Sequence, residues 1–175
     1  MPAYNRITAE VLTDTHRISC RIEAGTMGTI GLLNDINTSV FPVEDAYISR
    51  LAQPAKILEH YPMLYVAKAT VALVLISRRE ELGPVGLARG GYTHIVSFPV
   101  LITTSAFEIH GQLEQPGKLD VAALLGIGTG RFISAYKVNV VATAYPDVPF
   151  TSEVLIINRN LITLIAPEPG GKTSG

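Results

Sequence analysis

Alternation of apolar and polar residues dominates this chain, and it predicts strands rather than helices. Residues 6–12 (RITAEVL) and 17–23 (RISCRIE) alternate branched apolar side chains with polar ones, which is typical of half-buried strands. Four further apolar segments are predicted as strands, at 64–76, 94–104, 132–144 and 154–166.

Helical patterns are confined to short segments. Residues 119–126 (LDVAALLG) have Asp120 near their start and Gly126 near their end, which are common capping residues of a helix. Residues 28–36 (GTIGLLNDI) form a weaker counterpart. The pattern therefore predicts an all-β protein with short helical turns.

The middle of the chain breaks the strand pattern. Residues 76–91 combine a charge run with several glycines and a proline, as linkers do, and this position predicts a duplication. Aligning the halves puts Ile18 on Ile109 and residues 66–76 on 156–166. We predict two small β-barrel repeats, 1–76 and 93–167, with a linker at 77–92 and a flexible tail at 168–175; a single β-sandwich is the alternative.

Two glycine-rich segments resemble phosphate-binding loops. In LLGIGTGR (124–131), Arg131 stands where a dinucleotide motif needs its third glycine, and a strand-like segment follows. In the tail, Ala166 stands where a P-loop ending in residues 171–173 needs its first glycine. We therefore predict a turn and a flexible terminus, and no cofactor.

Composition favours self-association. Hydrophobic residues make up 47% of the chain, charged residues only 17%, and the mean hydropathy is +0.31, which favours apolar surface covered in an oligomer. The net charge of −1 does not favour nucleic acid or an anionic membrane. With no long apolar span, no signal-like start and Cys20 as its single cysteine, the chain is predicted to be cytoplasmic and not membrane-bound.

Residues that carry chemistry are scattered. The four histidines lack the spacing of metal ligands, and no serine has the flanking glycines of a nucleophile elbow. An active site assembled from distant residues would leave no local motif. The sequence nevertheless predicts a protein that is not an enzyme and holds no metal.

Residues 130–144 followed by 153–167 resemble the paired motifs of Sm-like (LSm) proteins. The first motif runs from Gly130 through the apolar run to Asn139, and the second centres on Arg159, in the position of the family arginine. The halves are also similar to an uncharacterised bacterial family of small β-domains. The Sm-like resemblance implies a short N-terminal helix and a five-stranded barrel, with the helical segment before Gly126 in the helix position.

The first half departs from these motifs, with Tyr47 in place of the asparagine and Ala69 in place of the arginine. The resemblance thus implies an all-β fold of two tandem Sm-like or SH3-like barrels. Such barrels assemble into rings by pairing their edge strands, and small open barrels leave unpaired backbone groups for this purpose.

The resemblance would also imply a single-stranded RNA pocket at Lys137, Asn139 and Arg159. Ala135 replaces the expected aspartate and Asn160 the expected glycine, and no basic, aromatic surface supports RNA. We therefore predict a non-catalytic assembly or scaffold protein, whose partners are its own copies through strand edges and possibly another protein. A ring-type RNA-binding protein is the alternative, and RNA is disfavoured as a partner.

Overall fold

The computed structural model describes residues 6–84, 94–126 and 130–169, and there the chain is all-β, as predicted. The strands are β1 (Ile7–Leu12), β2 (His16–Ile22), β3 (Val40–Arg50), β4 (Gln53–Ala67), β5 (Leu73–Ile76), β6 (Ile95–Thr104), β7 (Phe107–Pro116), β8 (Phe132–Ala142), β9 (Tyr145–Asn158) and β10 (Ile162–Pro167). The helices are α1 (Gly28–Asn34) and α2 (Val121–Leu125), with 3-10 helices at Gly25–Met27, Lys68–Thr70, Arg79–Leu82 and Arg159–Leu161.

The strands form one antiparallel sheet of ten strands in the order β10-β6-β7-β8-β9-β5-β1-β2-β3-β4. Each half of the chain contributes a block in which its fifth strand lies beside its first, followed by its second, third and fourth. The β5–β9 ladder joins the two blocks. The halves therefore share one continuous sheet, and the predicted repeat boundaries remain a prediction.

The two blocks also share their pairing register. Ile18 lies opposite Ile48 as Ile109 lies opposite Val140. Matching all the ladders relates strands one, two, four and five by a shift of 91 residues, as the pair Val11 and Val74 corresponds to the pair Ile102 and Ile165. The third strands are related by a shift of 92 residues, as in Ile48 and Val140. Positions related in this way are called equivalent below.

A β-bulge interrupts the third strand of each block at an equivalent position. Asp45 and Lys137 both adopt φ 49°, an uncommon conformation for a residue with a Cβ, and each lies beside a register shift. Lys137, a predicted RNA-contacting residue, is thus the bulge residue of β8. Because bulges increase the local twist, they help each block to bend around its core.

Each helix follows the second strand of its block, and α2 lies ahead of β8. Asp120 caps α2, since its carboxylate accepts a hydrogen bond from the Ala123 N–H at 2.9 Å. Helix α1 buries Ile30 and Leu33 in the core, whereas α2 has no buried residue.

Two hydrophobic cores lie on opposite faces of the central strands. Val74 and Ile76 of β5 enter one core with Val154 and Ile156 of β9. The alternate residues of both strands enter the other core, namely Leu73, Leu75, Leu155 and Ile157. Alternation places neighbouring side chains on opposite faces, so this ladder is buried on both sides.

The predicted linker begins as an ordered segment. Its 3-10 helix at Arg79–Leu82 lies against α1, where the Thr29 hydroxyl donates to the Glu81 carbonyl at 2.7 Å. A Cβ on Gly28 would lie 2.2 Å from the Cα of Gly83, so this close approach requires glycine. Residues 85–92 of the linker, and residue 93 after it, lie outside the described residues.

The glycine-rich segment 124–131 begins within α2 and is followed by β8, which begins at Phe132. Its predicted turn includes residues 127–129, which lie outside the described residues, and so remains a prediction. The tail motif at 171–173 also lies outside them. No described helix has the length and apolar character needed to cross a membrane.

Candidate functional site: two sheet edges

The ten-stranded sheet ends at β4 on one side and at β10 on the other. Among the described residues, β4 pairs only with β3 and β10 only with β6. An edge strand presents a row of N–H and C=O groups that can pair with another strand. These two edges are the candidate functional site.

The β4 edge carries large apolar side chains in water. Tyr65 is 67% exposed and Met63 is 51% exposed, and Ile57, Leu58 and Tyr61 are also exposed. Monomeric proteins usually protect a long edge strand with charges, bulges or a covering segment. This edge also carries Lys56, Glu59 and Pro62, but the exposed apolar side chains of Met63 and Tyr65 near its end are typical of a surface that another chain covers.

A groove of about 400 Å³ runs beside the β4 edge. Ile18, Ile48, Leu64 and Val66 form its apolar floor, and Tyr65 stands at its border. The floor is continuous with the first core, because Ile18 and Val66 belong to it and Ile48 and Leu64 pack against it. The core of the first block therefore opens to the surface at this edge.

The equivalent groove in the second block is filled from within the chain. Its floor residues Ile109, Val140, Leu155 and Ile157 are completely buried. They share one core with first-block residues, which are Leu12, Leu51, Ala72, Leu73 and Leu75. The β5 strand thus supplies the side chains that close the second block.

The β10 edge is the equivalent of β5, with Leu164 at the position of Leu73 and Ala166 at that of Leu75. Leu73 is completely buried, whereas Leu164 is 46% exposed. The same contrast holds for the β4 edge, where Met63 is exposed whereas its equivalent Val154 on β9 is buried. Leu164 and Met63 therefore have buried equivalents in the β5–β9 junction.

The β5–β9 junction adds polar contacts to this apolar ladder. The buried Asn158 side chain donates to the Val71 carbonyl at 2.9 Å, and the Ser152 hydroxyl donates to the Ile76 carbonyl at 2.7 Å. The equivalents of Asn158 and Ser152 on β4 are Ala67 and Tyr61. Alanine has no side-chain donor, so the free edges reproduce the apolar contacts of the junction more fully than its polar ones.

Helix α1 makes a further contact across the halves. Asn34 Nδ2 donates to the Phe132 carbonyl at 3.1 Å, and Asn34 Oδ1 accepts from the Phe132 N–H at 2.8 Å. Gly126 aligns with Asn34 in the second half and has no side chain to repeat this contact. The bidentate pair fixes the start of β8 against the first block.

Lys68 occupies the place that the sequence alignment gave to Ala69. The Lys68 N–H donates to the Ser39 carbonyl as the Arg159 N–H donates to the Arg131 carbonyl, so Lys68 is the equivalent of Arg159. The alignment was wrong by one residue because the ladder shift is 91, whereas it assumed 90 over this segment.

The Lys68 ammonium is a buried anchor for the loop after α1. It donates to the carbonyls of Leu32 and Asp35 at 2.8 and 2.9 Å and to the Thr38 hydroxyl at 2.7 Å, and Lys68 is only 1% exposed. Burial lowers the pKa of Lys68, and the nearby Asp35 carboxylate partly opposes this effect. The side chain stabilises the fold and offers no surface charge.

The structure does not bring the three predicted RNA-contacting residues together. Lys137 and Asn139 are exposed on β8, whereas Arg159 follows Asn158, which pairs with Phe132 at the start of β8. Seven residues of strand separate Phe132 from Asn139, or about 23 Å along the strand at about 3.3 Å per residue. The Arg159 guanidinium also donates to the Gly126 carbonyl.

Other reactive side chains make local pairs. His60 Nε2 lies 2.8 Å from Asp45 Oδ1, and the His60 ring stacks on Tyr47 with centroids 4.3 Å apart. Desolvation by burial, with Glu10 nearby, raises the pKa of the Cys20 thiol to about 12. In the described ranges, no three His, Cys, Asp or Glu side chains are grouped to hold a metal ion.

The sequence analysis predicted strand edges as a means of association without identifying them. The available signal for the β4 edge is the presence of apolar residues at both odd and even positions from Ile57 to Tyr65, because a strand buried on one face alternates apolar with polar residues.

The chain matches no protein-family model, no curated protein and no solved structure.

Proposed function

We propose that this protein is a non-catalytic assembly protein whose copies join head to tail, with β10 of one copy added to β4 of the next. The observation that carries the proposal is the β5–β9 junction, in which the chain already makes this contact between its own halves. The exposed edges are the equivalents of the two strands that form that junction.

The equivalence fixes a register for the contact. In the junction, Leu73 lies opposite Ile157 and Leu75 opposite Leu155. The corresponding intermolecular ladder places Leu164 opposite Val66, Ile165 opposite Tyr65, Ala166 opposite Leu64 and Pro167 opposite Met63. Proline lacks an N–H and so suits the end of this ladder.

The groove beside β4 provides the hydrophobic contribution to association. Leu164 and Ala166 of one copy would enter it as Leu73 and Leu75 enter the second core within the chain. Burying apolar surface contributes about 25 cal/mol per Å² before the entropy of association is subtracted. The groove and the edge thus supply complementary parts of one interface.

The contact is heterologous, because β4 and β10 are different surfaces. A heterologous interface leaves one free edge at each end of a growing assembly, which closes into a ring or extends as a filament. The β5–β9 junction within each chain would alternate with the proposed β10–β4 junction between chains. The blocks of successive copies would then lie in one continuous sheet. A scaffold that presents its remaining surface in many copies is the function this arrangement supports.

Light scattering tests the proposal at micromolar concentration. We expect the wild type to scatter as multiples of 18.8 kDa and Tyr65→Lys to scatter as a monomer, because a charge at the centre of the ladder loses its water on association. Ile36→Lys is the matched control, since Ile36 is 96% exposed outside both edges. A monomeric wild type, or equal effects of the two variants, contradicts the proposal.

A further inference from the structure

Helix α2 ends in an exposed leucine whose counterpart at the end of α1 is buried. Leu125 is 37% exposed, whereas Leu33, which aligns with it, is 1% exposed. The preceding leucines, Leu32 and Leu124, are placed alike, because each packs partly buried against the core of its own block. The two helices therefore contact their own cores in the same way and differ in the burial of the next leucine.

The first block buries Leu33 with help from the second block. Helix α1 lies against β8. Phe132, the first residue of β8, is 2% exposed and belongs to the same core as Leu33 and Ile30. The two hydrogen bonds from Asn34 hold Phe132 at this place. A side chain from the neighbouring block thus completes the core beside α1.

The equivalent of Phe132 in the first block is exposed. This equivalent is Val40, because Val40 pairs with Ala67 as Phe132 pairs with Asn158. Val40 is the first residue of β3 and is 44% exposed. Leu125 and Val40 are therefore the exposed counterparts of two residues that are buried in one core between the halves.

We propose that α2 of one copy docks on the start of β3 in the next copy, with Leu125 against Val40. This inference rests on the proposed head-to-tail pairing, because β10 and α2 belong to one block as β5 and α1 do. Adding β10 to β4 would bring α2 to β3 of the next copy, as the β5–β9 junction brings α1 to β8. Burial of these two apolar side chains adds to the free energy of association and extends the interface beyond the edge strands.

Residue sizes on the two sides of this contact are complementary. Within the chain the helix provides the larger side chain, since a Cβ on Gly130 would lie 2.4 Å from Asn34 Nδ2. At the aligned positions the sizes are exchanged. Gly126 replaces the asparagine at the end of the helix, and Thr38 replaces the glycine in the facing segment. The glycine that ends α2 thus leaves room for the threonine of the next copy.

Two variants that each keep one edge free locate the contact. Tyr65→Lys keeps β10 and α2 for binding, Leu164→Lys keeps β4 and β3, and their mixture should form a dimer through one interface. We expect Leu125→Glu in the Tyr65→Lys chain to raise the dissociation constant of this dimer about tenfold, because the contact would bury a carboxylate. Sedimentation equilibrium measures the constant.

The same substitution in the other chain is the matched control. Leu125→Glu in the Leu164→Lys chain should change the dissociation constant by less than about twofold, because α2 of that chain lies away from the interface. Thermal unfolding of each chain alone shows that it is folded. Equal effects of Leu125→Glu in the two chains would overturn the docking of α2 while leaving the pairing of β10 with β4 intact.

A charge exchange tests whether α2 contacts Val40 directly. Val40→Lys in the Leu164→Lys chain should recover part of the affinity that Leu125→Glu removes from the Tyr65→Lys chain, because an ammonium group then faces the carboxylate. A further loss of affinity would overturn this contact. A monomeric mixture of Tyr65→Lys with Leu164→Lys would overturn the head-to-tail pairing itself, and the docking of α2 with it.

Discussion

Asn34 and Phe132 form a two-bond pair across the halves of this protein, in which one side-chain amide satisfies both backbone groups of a strand residue. The pair resembles one step of a β-ladder, supplied by a side chain at the end of α1. Phe132 pairs with Asn158 at the end of β9, and the contact with Asn34 is partly buried. The connection between the halves therefore depends on this amide as well as on the ladder.

Asn34→Ala is expected to lower the free energy of unfolding by about 1–3 kcal/mol, because it leaves the N–H and C=O of Phe132 without their partner. Urea unfolding followed by circular dichroism measures the change. Asn37→Ala is the control, since Asn37 is exposed and contacts only Asp35 through its side chain. Equal stability of the two variants would contradict the role given to Asn34.

Lys68→Met is expected to destabilise the protein by about 1–3 kcal/mol, because the Leu32 and Asp35 carbonyls lose a charged donor. Lys56→Met, at an exposed position, is the control and should change stability by less than about 0.5 kcal/mol.

The Lys68 contribution should also depend on pH. Burial lowers the pKa of Lys68 below 10.5, so the unfolded chain holds more protons there. The stability of the wild type relative to Lys68→Met should therefore increase as the pH rises toward 10.5. A difference that decreases over this range would show that the ammonium is not desolvated in the folded chain.

Cys20 should react slowly with a thiol reagent at pH 8 in the native protein and rapidly in urea, because burial raises its pKa to about 12. The unfolded thiol ionises near 9.0, so the wild type should lose stability relative to Cys20→Ala as the pH rises from 9.0 toward 12. The slope is at most about 1.4 kcal/mol per pH unit. Rapid labelling of the native protein would contradict the burial.

The alternating segments of the sequence predicted several strands well. Residues 6–12 and 17–23 correspond to β1 and β2, because one face of each enters the core and imposes the alternation. The start of β4, from Gln53 to Met63, was not predicted as a strand. Its side chains are mostly exposed on both faces, so burial imposes no periodic pattern on the sequence.

The predicted strand at 64–76 is in fact two strands with a 3-10 helix between them at Lys68–Thr70. Lys68 in the apolar run is the local signal of this break. Its side chain is held by acceptors in α1 and the loop after it, which lie 30 to 36 residues earlier in the chain. The β5–β9 pairing likewise joins residues far apart in sequence. Long-range pairing of this kind leaves no local pattern, so the sequence could not identify which edges remain free.

Mixing two variants with blocked edges tests the head-to-tail interface most directly. Tyr65→Lys blocks β4 and leaves β10 free, whereas Leu164→Lys blocks β10 and leaves β4 free. Each variant alone should be a monomer, and an equimolar mixture should form a dimer of twice 18.8 kDa in light scattering and grow no further. Association of either variant alone, or a monomeric mixture under conditions in which the wild type assembles, would contradict pairing of β10 with β4.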